Sequence, residues 1–261
     1  MKKQAHKSIK ARVRTVLKRF RGVGFKALNP SRKRYECPIC QYQGPFQDAH
    51  DPTGLRKDAM CPSCSALERH RTFWLTLNDL PERARFCEMS LLHFAPEPEL
   101  GDRLRRLFGH YTSADLDAPG VDYHVDLTKL PFENESYDMV IASHVLEHIR
   151  EDRLALHHIK RILKPGGIAI LQVPVLGEKT VEYPEPNPKE WFHVRSPGED
   201  YFHRYTAQFS RVEKFRSSQF DTRYQPYIYE NRAEWPADYR LRPTLSGVRH
   251  DDIVPVCYVE R

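Results

Sequence analysis

Two pairs of thiols carry the most explicit chemistry in this sequence. Cys37-Pro-Ile-Cys40 and Cys61-Pro-Ser-Cys64 are separated by twenty residues. Each pair can turn two sulfurs to one side. Two such turns brought together give the tetrahedral four-sulfur set that Zn²⁺ favours. Four sulfurs close the coordination shell, so the role expected of Cys37, Cys40, Cys61 and Cys64 is structural. Cys87 and Cys257 read as ordinary buried thiols. A second group of candidates sits at the ends of short apolar runs. Asp115 ends Tyr111–Asp115, Asp126 ends a run begun at Val121, and Ser143 and His144 follow Asp138–Ala142. Carboxylates there can accept hydrogen bonds from a ligand, and a histidine can move a proton near neutrality. Further on, His193 is a candidate base, and Arg195 a candidate holder of a phosphate, carboxylate or sugar acid.

The elements that must place these residues are legible in the pattern. Asp138–Ala142 is an apolar run of strand length. Glu151–Leu163 switches to helical period through Ala155, Ile159, Ile162 and Leu163, and Lys164-Pro165-Gly166-Gly167 ends it. Ile168–Val173 is a second buried strand. Strand, helix, strand makes a right-handed parallel βαβ unit, and ligands of such sheets sit beyond the carboxyl ends of the strands. A first strand is expected in the stretch opening at Arg85. A third is expected over Val121–Leu127, and late strands over Arg211–Phe215 and Asp252–Val259, with Pro255 arguing for an edge or a bulge. Before them, Ser65-Ala-Leu-Glu68 reads as a capping box opening a helix that stops at Pro81. The boundaries that follow are 1–34 for a basic arm, 35–80 for ribbon and connecting helix, and 81–261 for an α/β domain whose segment 175–205 covers the acceptor side.

Charge is unevenly placed. Residues 1–35 hold thirteen of the 41 Lys and Arg and none of the 35 Asp and Glu, leaving 28 basic side chains and a net of −7 for the rest. Ile9, Val13, Val16, Leu17 and Phe20 give the arm an apolar stripe. An arm of this kind suits an anionic membrane surface or RNA phosphates. No run of eighteen apolar residues spans a membrane and no apolar segment follows the first basic residues. The expected location is cytoplasmic, with the arm as a peripheral anchor at the inner membrane surface.

Tyr137-Asp-Met-Val-Ile-Ala-Ser-His-Val-Leu-Glu-His-Ile149 followed by Leu163-Lys-Pro-Gly-Gly167 resembles class I S-adenosylmethionine-dependent methyltransferases of the type 11-like group. The pieces Ser65–Arg71, Leu92–Glu97 and Val145–His148 resemble a bacterial subset that carries an N-terminal four-cysteine zinc ribbon. The resemblance implies a Rossmann-like seven-stranded sheet with helices on both faces, a small ribbon, and S-adenosylmethionine at the sheet's centre. It assigns His93, Phe94, Ala95 and Glu97 to the cofactor loop, where relatives usually carry Gly-x-Gly. Asp115 is assigned to the ribose, with Asp117 as its alternative. Asp126 and Leu127 fall to the adenine, Ser143 to the cofactor rim, and His144 to the border of the transferred methyl. Glu147 and His148 resemble a pair that holds a divalent ion beside the acceptor in some O-methyltransferases. The function implied is methyl transfer to oxygen or nitrogen of a small molecule, a glycan or a lipid-linked intermediate. An RNA methyltransferase using ribbon and arm is one rival. A non-catalytic zinc-dependent binding module, suggested by the altered Ala95-Pro96-Glu97 loop, is the other.

Overall fold

The computed structural model describes residues 20–51, 54–175, 177–229 and 249–260. Helix α1 covers residues 20–28 and ends at the expected Asn29-Pro30 turn; most of the apolar stripe from Ile9 to Phe20 lies outside the described residues. The ribbon follows as two antiparallel hairpins, β1 (Tyr35–Glu36) with β2 (Gln43–Gly44) and β3 (Gln47–Asp51) with β4 (Gly54–Met60). Helix α2 (Glu68–Asp79) leads into a 3-10 segment, Pro81–Glu88. Arg85–Glu88 is therefore not strand, because the chain is still turning after Pro81. The first sheet strand, β5, is Ser90–Phe94.

The large sheet then assembles from β5, β6 (His110–Asp115), β7 (Tyr123–His124), β8 (Tyr137–Ala142), β9 (Leu163–Ile170), β12 (Arg211–Arg216) and β15 (Ile253–Tyr258). Their spatial order is β12-β15-β9-β8-β5-β6-β7. Six strands run in one direction, and β15 runs antiparallel to them between β9 and β12. This is the seven-stranded sheet the sequence implied. Two further hairpins, β10 (Val181–Asn187) with β11 (His193–Ser196) and β13 (Ile228–Tyr229) with β14 (Arg249–His250), stand outside it. The period-two alternation of the buried strands sorts their side chains to two faces. Leu91, Met139, Ile141, Ile168 and Val254 pack with Phe73 and Leu77 of α2, Leu104 of α3 (Gly101–Leu107), and the ribbon's Cys37, Ile39 and Phe46. Leu92, Val140, Ala142 and Ala169 pack with Ala155, Ile159 and Ile162 of α4 (Asp152–Ile162) and Tyr205 of α5 (Phe202–Thr206). Helices thus cover both faces, and the ribbon shares a core with the first.

Three expectations are corrected by the topology. The third strand shortens to Tyr123–His124, because Asp126 turns the chain by accepting from Thr128 N at 2.8 Å. Pro255 lies in an interior strand. Its carbonyl accepts from Leu171 N, just past the end of β9, so its missing N–H falls where no ladder partner waits. Cys87 is exposed, whereas Cys257 is buried as expected.

Candidate active site and metal centre

The two Cys-Pro turns fold alike. Cys37 O accepts from Gln41 N and Cys61 O accepts from Ser65 N, both at 2.8 Å, and Cys37 N and Cys61 N donate to Tyr42 O and Ala66 O. Gln41 and Ser65 occupy the same left-handed position, φ 62° and 68°. Ser65 is therefore spent on the turn and does not cap α2. The cap forms two residues later, where His70 Nδ1 accepts from Leu67 N at 3.1 Å.

The four sulfurs lie within 4.8 Å of one another, with Cys37–Cys64 and Cys40–Cys61 each at 3.6 Å. A tetrahedral shell with Zn–S bonds near 2.3 Å has edges of about 3.8 Å. The donor set fits zinc. Hydrogen-bonded to Cys37 and Cys40, the thiols of Cys61 and Cys64 are pushed far above their ordinary range. A central divalent cation reverses that by favouring thiolates.

The ribbon is bolted to the body through α2. The fully buried Arg71 guanidinium donates to Ala59 O, Ala66 O and Gln225 O at 2.8, 2.9 and 2.7 Å and stacks 4.6 Å over the Phe46 ring. Arg103 of α3 adds a bond to Ile39 O at 2.9 Å.

At the carboxyl edge of the sheet, Phe94 of β5 pairs with Ala114 of β6 and with Ala142 of β8. Ala95, Asp115 and Ser143 therefore follow one step later on three adjacent strands. The chain leaves β5 toward β6 on one side and later reaches β8 on the other, so this edge is a topological switch point. Ala95 takes φ 45°, doing with a methyl side chain what glycine does more cheaply. His93 is fully buried. Its Nε2 lies 3.1 Å from Glu97 Oε2 and its Nδ1 3.0 Å from the Tyr111 hydroxyl. Burial pushes the Glu97 carboxyl up, but the His93 contact wins and brings it down to about 2. Glu97 Oε1 has no hydrogen-bond partner among the described residues.

Asp115 Oδ1 accepts from the backbone of Asp117 and Ala118 at 2.9 and 2.8 Å, which fixes the carboxylate past β6. Asp117 itself is exposed. Asp126 stands exposed two residues past β7, and the Thr128 donors hold it below the usual carboxylate range. Phe94, the last residue of β5, and Leu127, three residues past β7, are both buried in the α4-side core.

His144 follows β8 at φ 55°, an uncommon conformation held by its N–H on Gln172 O at 2.8 Å. Its Nδ1 is 3.2 Å from Glu147 Oε1, and its Nε2 is buried without a partner among the described residues. Glu147 is fully buried, and neither of its oxygens has a hydrogen bond of good geometry there. Burial raises its carboxyl, but His144 overrides that and keeps it below the usual range.

The β10–β11 hairpin brings His193 against this turn. Its ring meets His148 edge-on at 4.6 Å, and ligand atoms of Glu147, His148 and His193 lie within 4.8 Å of one another. Nothing in the local sequence pairs His193 with Glu147; only the hairpin does.

Arg195 is corrected. Its guanidinium is almost fully buried and held by Leu146 O, Ile149 O and Arg150 O at 2.8, 2.5 and 2.9 Å, and by Glu182 at 3.1 Å. It clamps the hairpin to the turn after β8, with four of its five donors on Glu182 and the three carbonyls. Asp152 completes the clamp, accepting from Tyr201 and Arg204 at 2.6 and 2.5 Å.

Residues 102–171, which run from α3 through β9, match the methyltransferase domain family. That match covers 70 of the chain's 261 residues. A demethylmenaquinone methyltransferase of Clavibacter sepedonicus is 42% identical over 48 residues, 18% of this chain and 20% of that protein. The chain's match thus spans about a fifth of that curated relative's length. An uncharacterized 37.1 kDa protein of a Streptomyces fradiae transposon is 32% identical over 68 residues, 26% of this chain and 20% of that one. Among solved structures, an S-adenosylmethionine-dependent methyltransferase of Mesorhizobium loti is similar at 14% identity and a TM-score of 0.43, covering 72% of this chain and 97% of that one. Among the described residues no helix is long and apolar enough to cross a membrane. An open groove among Asn134, His157, Arg161 and Pro165 lies at the amino-terminal ends of β8 and β9, away from this site.

Proposed function

We propose that the whole chain methylates an oxygen or nitrogen of a small-molecule, glycan or lipid-linked acceptor bound under the β10–β11 hairpin, with His144 as the base. The observation that carries this is the His144–Glu147 pair. Nδ1 faces a buried carboxylate at 3.2 Å, which leaves the unpartnered Nε2 as the ring's free acceptor. When bound, S-adenosylmethionine supplies an electrophilic methyl on a good leaving group. The protein's task is alignment and proton removal. Glu97, Asp115 and Asp126 present acceptors for the cofactor's charged and hydroxyl groups along β5, β6 and β7. Glu147 fixes the imidazole and stabilises it once it carries the proton. The acidic net of residues 36–261 favours a small or glycan acceptor over RNA, which usually meets positive charge around the site.

The test is transfer of radiolabelled methyl into fractionated cell extract. His144→Ala is expected to lower the transfer rate about 10²- to 10⁴-fold while cofactor affinity changes less than about threefold. An unchanged rate removes the base assignment. Salt-dependent RNA binding that survives deletion of residues 1–34 would move the acceptor to RNA.

A second reading gives acceptor activation to a divalent ion held by Glu147, His148 and His193, a two-histidine, one-carboxylate set of compatible chemistry. Such an ion acidifies a bound hydroxyl. Elemental analysis separates the two readings: two metal equivalents per chain, falling to one in Glu147→Gln, support the ion, and one equivalent in both leaves the histidine alone.

A further inference from the structure

Helix α1 meets the ribbon with one face and turns another to water. A Cβ at Gly22 would come within 3.1 Å of Ser63 Cβ and of the Tyr42 ring, so the helix backbone lies close against the second cysteine turn there. Three residues on, Phe25 is half-buried; the Arg32 guanidinium sits 5.9 Å from its ring centre, and Phe25 O accepts from Asn29 Nδ2 at 2.9 Å. Arg32 in turn donates to Asp48 of β3 and Asp58 of β4 at 2.5 and 2.8 Å, which ties the end of α1 to the ribbon. The other face is open. A Cβ at Gly24 would meet nothing within 4 Å. Leu28, Phe20 and Val23 are 84%, 70% and 67% exposed, more than any other large apolar side chain among the described residues.

At about 100° per residue, Phe20, Val23 and the exposed Ala27 fall on one stripe, which Gly24 and Leu28 widen. Gly22 and Phe25 lie opposite, and Arg21 and Lys26 stand at the two boundaries. In the sequence, Ile9, Val13, Val16 and Leu17 keep helical phase with Phe20, Val23 and Ala27. A stripe meant for the ribbon would be in phase with Gly22 and Phe25; this one is in phase with the face turned to water. Its surroundings carry a single sign of charge, because residues 1–35 hold thirteen Lys and Arg and no Asp or Glu. The occupant must therefore offer anionic groups and apolar matter side by side. A bilayer with acidic headgroups does both, taking the apolar stripe at the acyl boundary and the flanking cations at the surface. A polynucleotide would use the cations and leave Phe20, Val23 and Leu28 in water. A second copy of the chain would bring two arms of like charge together.

We infer that the outward face of α1 docks on an anionic lipid bilayer, with Phe20, Val23 and Leu28 at the acyl boundary and Arg21 and Lys26 among the headgroups. The inference stands apart from the chemistry assigned to the sheet edge. Since Gly22 seats α1 on the second cysteine turn and Arg32 ties its end to β3 and β4, docking brings the ribbon itself to the lipid surface.

The test is sedimentation of the zinc-loaded full chain with vesicles of mixed phosphatidylglycerol and phosphatidylcholine, and with vesicles of phosphatidylcholine alone. Wild type is expected to bind the acidic vesicles and to leave the neutral ones. A triple variant, Phe20→Ala with Val23→Ala and Leu28→Ala, keeps every charge and a good helix former at each position. It is expected to bind acidic vesicles at least about tenfold more weakly, with unchanged zinc content and melting temperature. In Phe20→Trp and Leu28→Trp, the added indole is expected to shift its emission to the blue on acidic vesicles and to be quenched by brominated acyl chains. These two variants keep the test available if the triple variant does not fold. A wild-type chain that ignores acidic vesicles overturns the inference. So does a triple variant that binds them as wild type does, or an indole that neither shifts nor is quenched, because charge alone then suffices. An RNA oligonucleotide that wild type and triple variant bind equally, and more tightly than the vesicles, gives the arm to a polynucleotide and overturns it too. A dimer in ultracentrifugation that the triple variant abolishes, with no vesicle binding, gives the face to a second copy.

Discussion

The metal centre and the sheet edge are opposite solutions to burying polar atoms. In the ribbon, four sulfurs come from two short turns, the backbone of each turn is satisfied locally, and the four ligand atoms converge to within 4.8 Å in a set that would close around a single ion. At the sheet edge, polar atoms from α2, the β5 loop and the β8 turn remain buried and unmatched. A closed set stabilises a fold. An open set costs stability, because each unmatched buried group keeps about 1–3 kcal/mol of desolvation penalty. Arg71 of α2 holds the second cysteine turn to the helix and to the segment at Gln225.

Breaking the ribbon is the most severe way to test whether the two regions are coupled. Cys37→Ser leaves three sulfurs where four closed the shell, and apparent structural zinc affinities are on the order of 10–16 kcal/mol. Zinc content should fall below one per chain, and S-adenosylhomocysteine binding should be lost with it. Retained binding by a zinc-free chain would show that the two regions are independent.

The clamp on the hairpin comes next. Arg195→Met leaves the buried Asp152 carboxylate short of one partner and frees the carbonyls of Leu146, Ile149 and Arg150. Denaturant unfolding should show a loss of about 3–5 kcal/mol. The acceptor KM should rise more than the cofactor Kd, because the clamp holds the hairpin and not the β5 edge.

Acid sharpens the comparison from the open side. His70 is depressed by burial from 6.5 to about 3, so the unfolded chain takes up a proton that the folded state refuses. This contribution to stability is complete above pH 6.5 and is lost as pH falls toward 3, at about 1.4 kcal/mol per unit. Between pH 6.5 and 4.5 that amounts to roughly 3 kcal/mol. Asp252, raised by burial to about 6, pulls the other way in part of that window. The difference between wild type and His70→Gln isolates the histidine: the variant should lose less stability over that range, and parallel curves would contradict the assignment.

The smallest effect is expected at Asp115, where one oxygen already serves the turn. Asp115→Asn should weaken the cofactor by about tenfold, near 1.4 kcal/mol, measured by calorimetry. An unchanged affinity would take this carboxylate out of the site.

The sequence by itself determined the metal centre and the sheet. Cys-x-x-Cys spacing is local chemistry, and both turns close within five residues of their first cysteine. Buried strands such as Asp138–Ala142 and Ile168–Ile170 announce themselves as apolar runs, and α4 by its period, so the βαβ frame and its carboxyl edge followed. Ser65 misled because a serine before a glutamate three residues on fits a helix cap, whereas the metal turn had first claim on its backbone. Arg195 misled because a solitary arginine in an aperiodic loop looks the same whether it meets a ligand or its own carbonyls. Only the tertiary structure decided that, as it decided the meetings of Glu147 with His193 and of Arg71 with Gln225. These pairs join residues whose nearness depends on how a hairpin or a helix docks. Docking is set by the summed packing of two cores, not by any residue's neighbours along the chain.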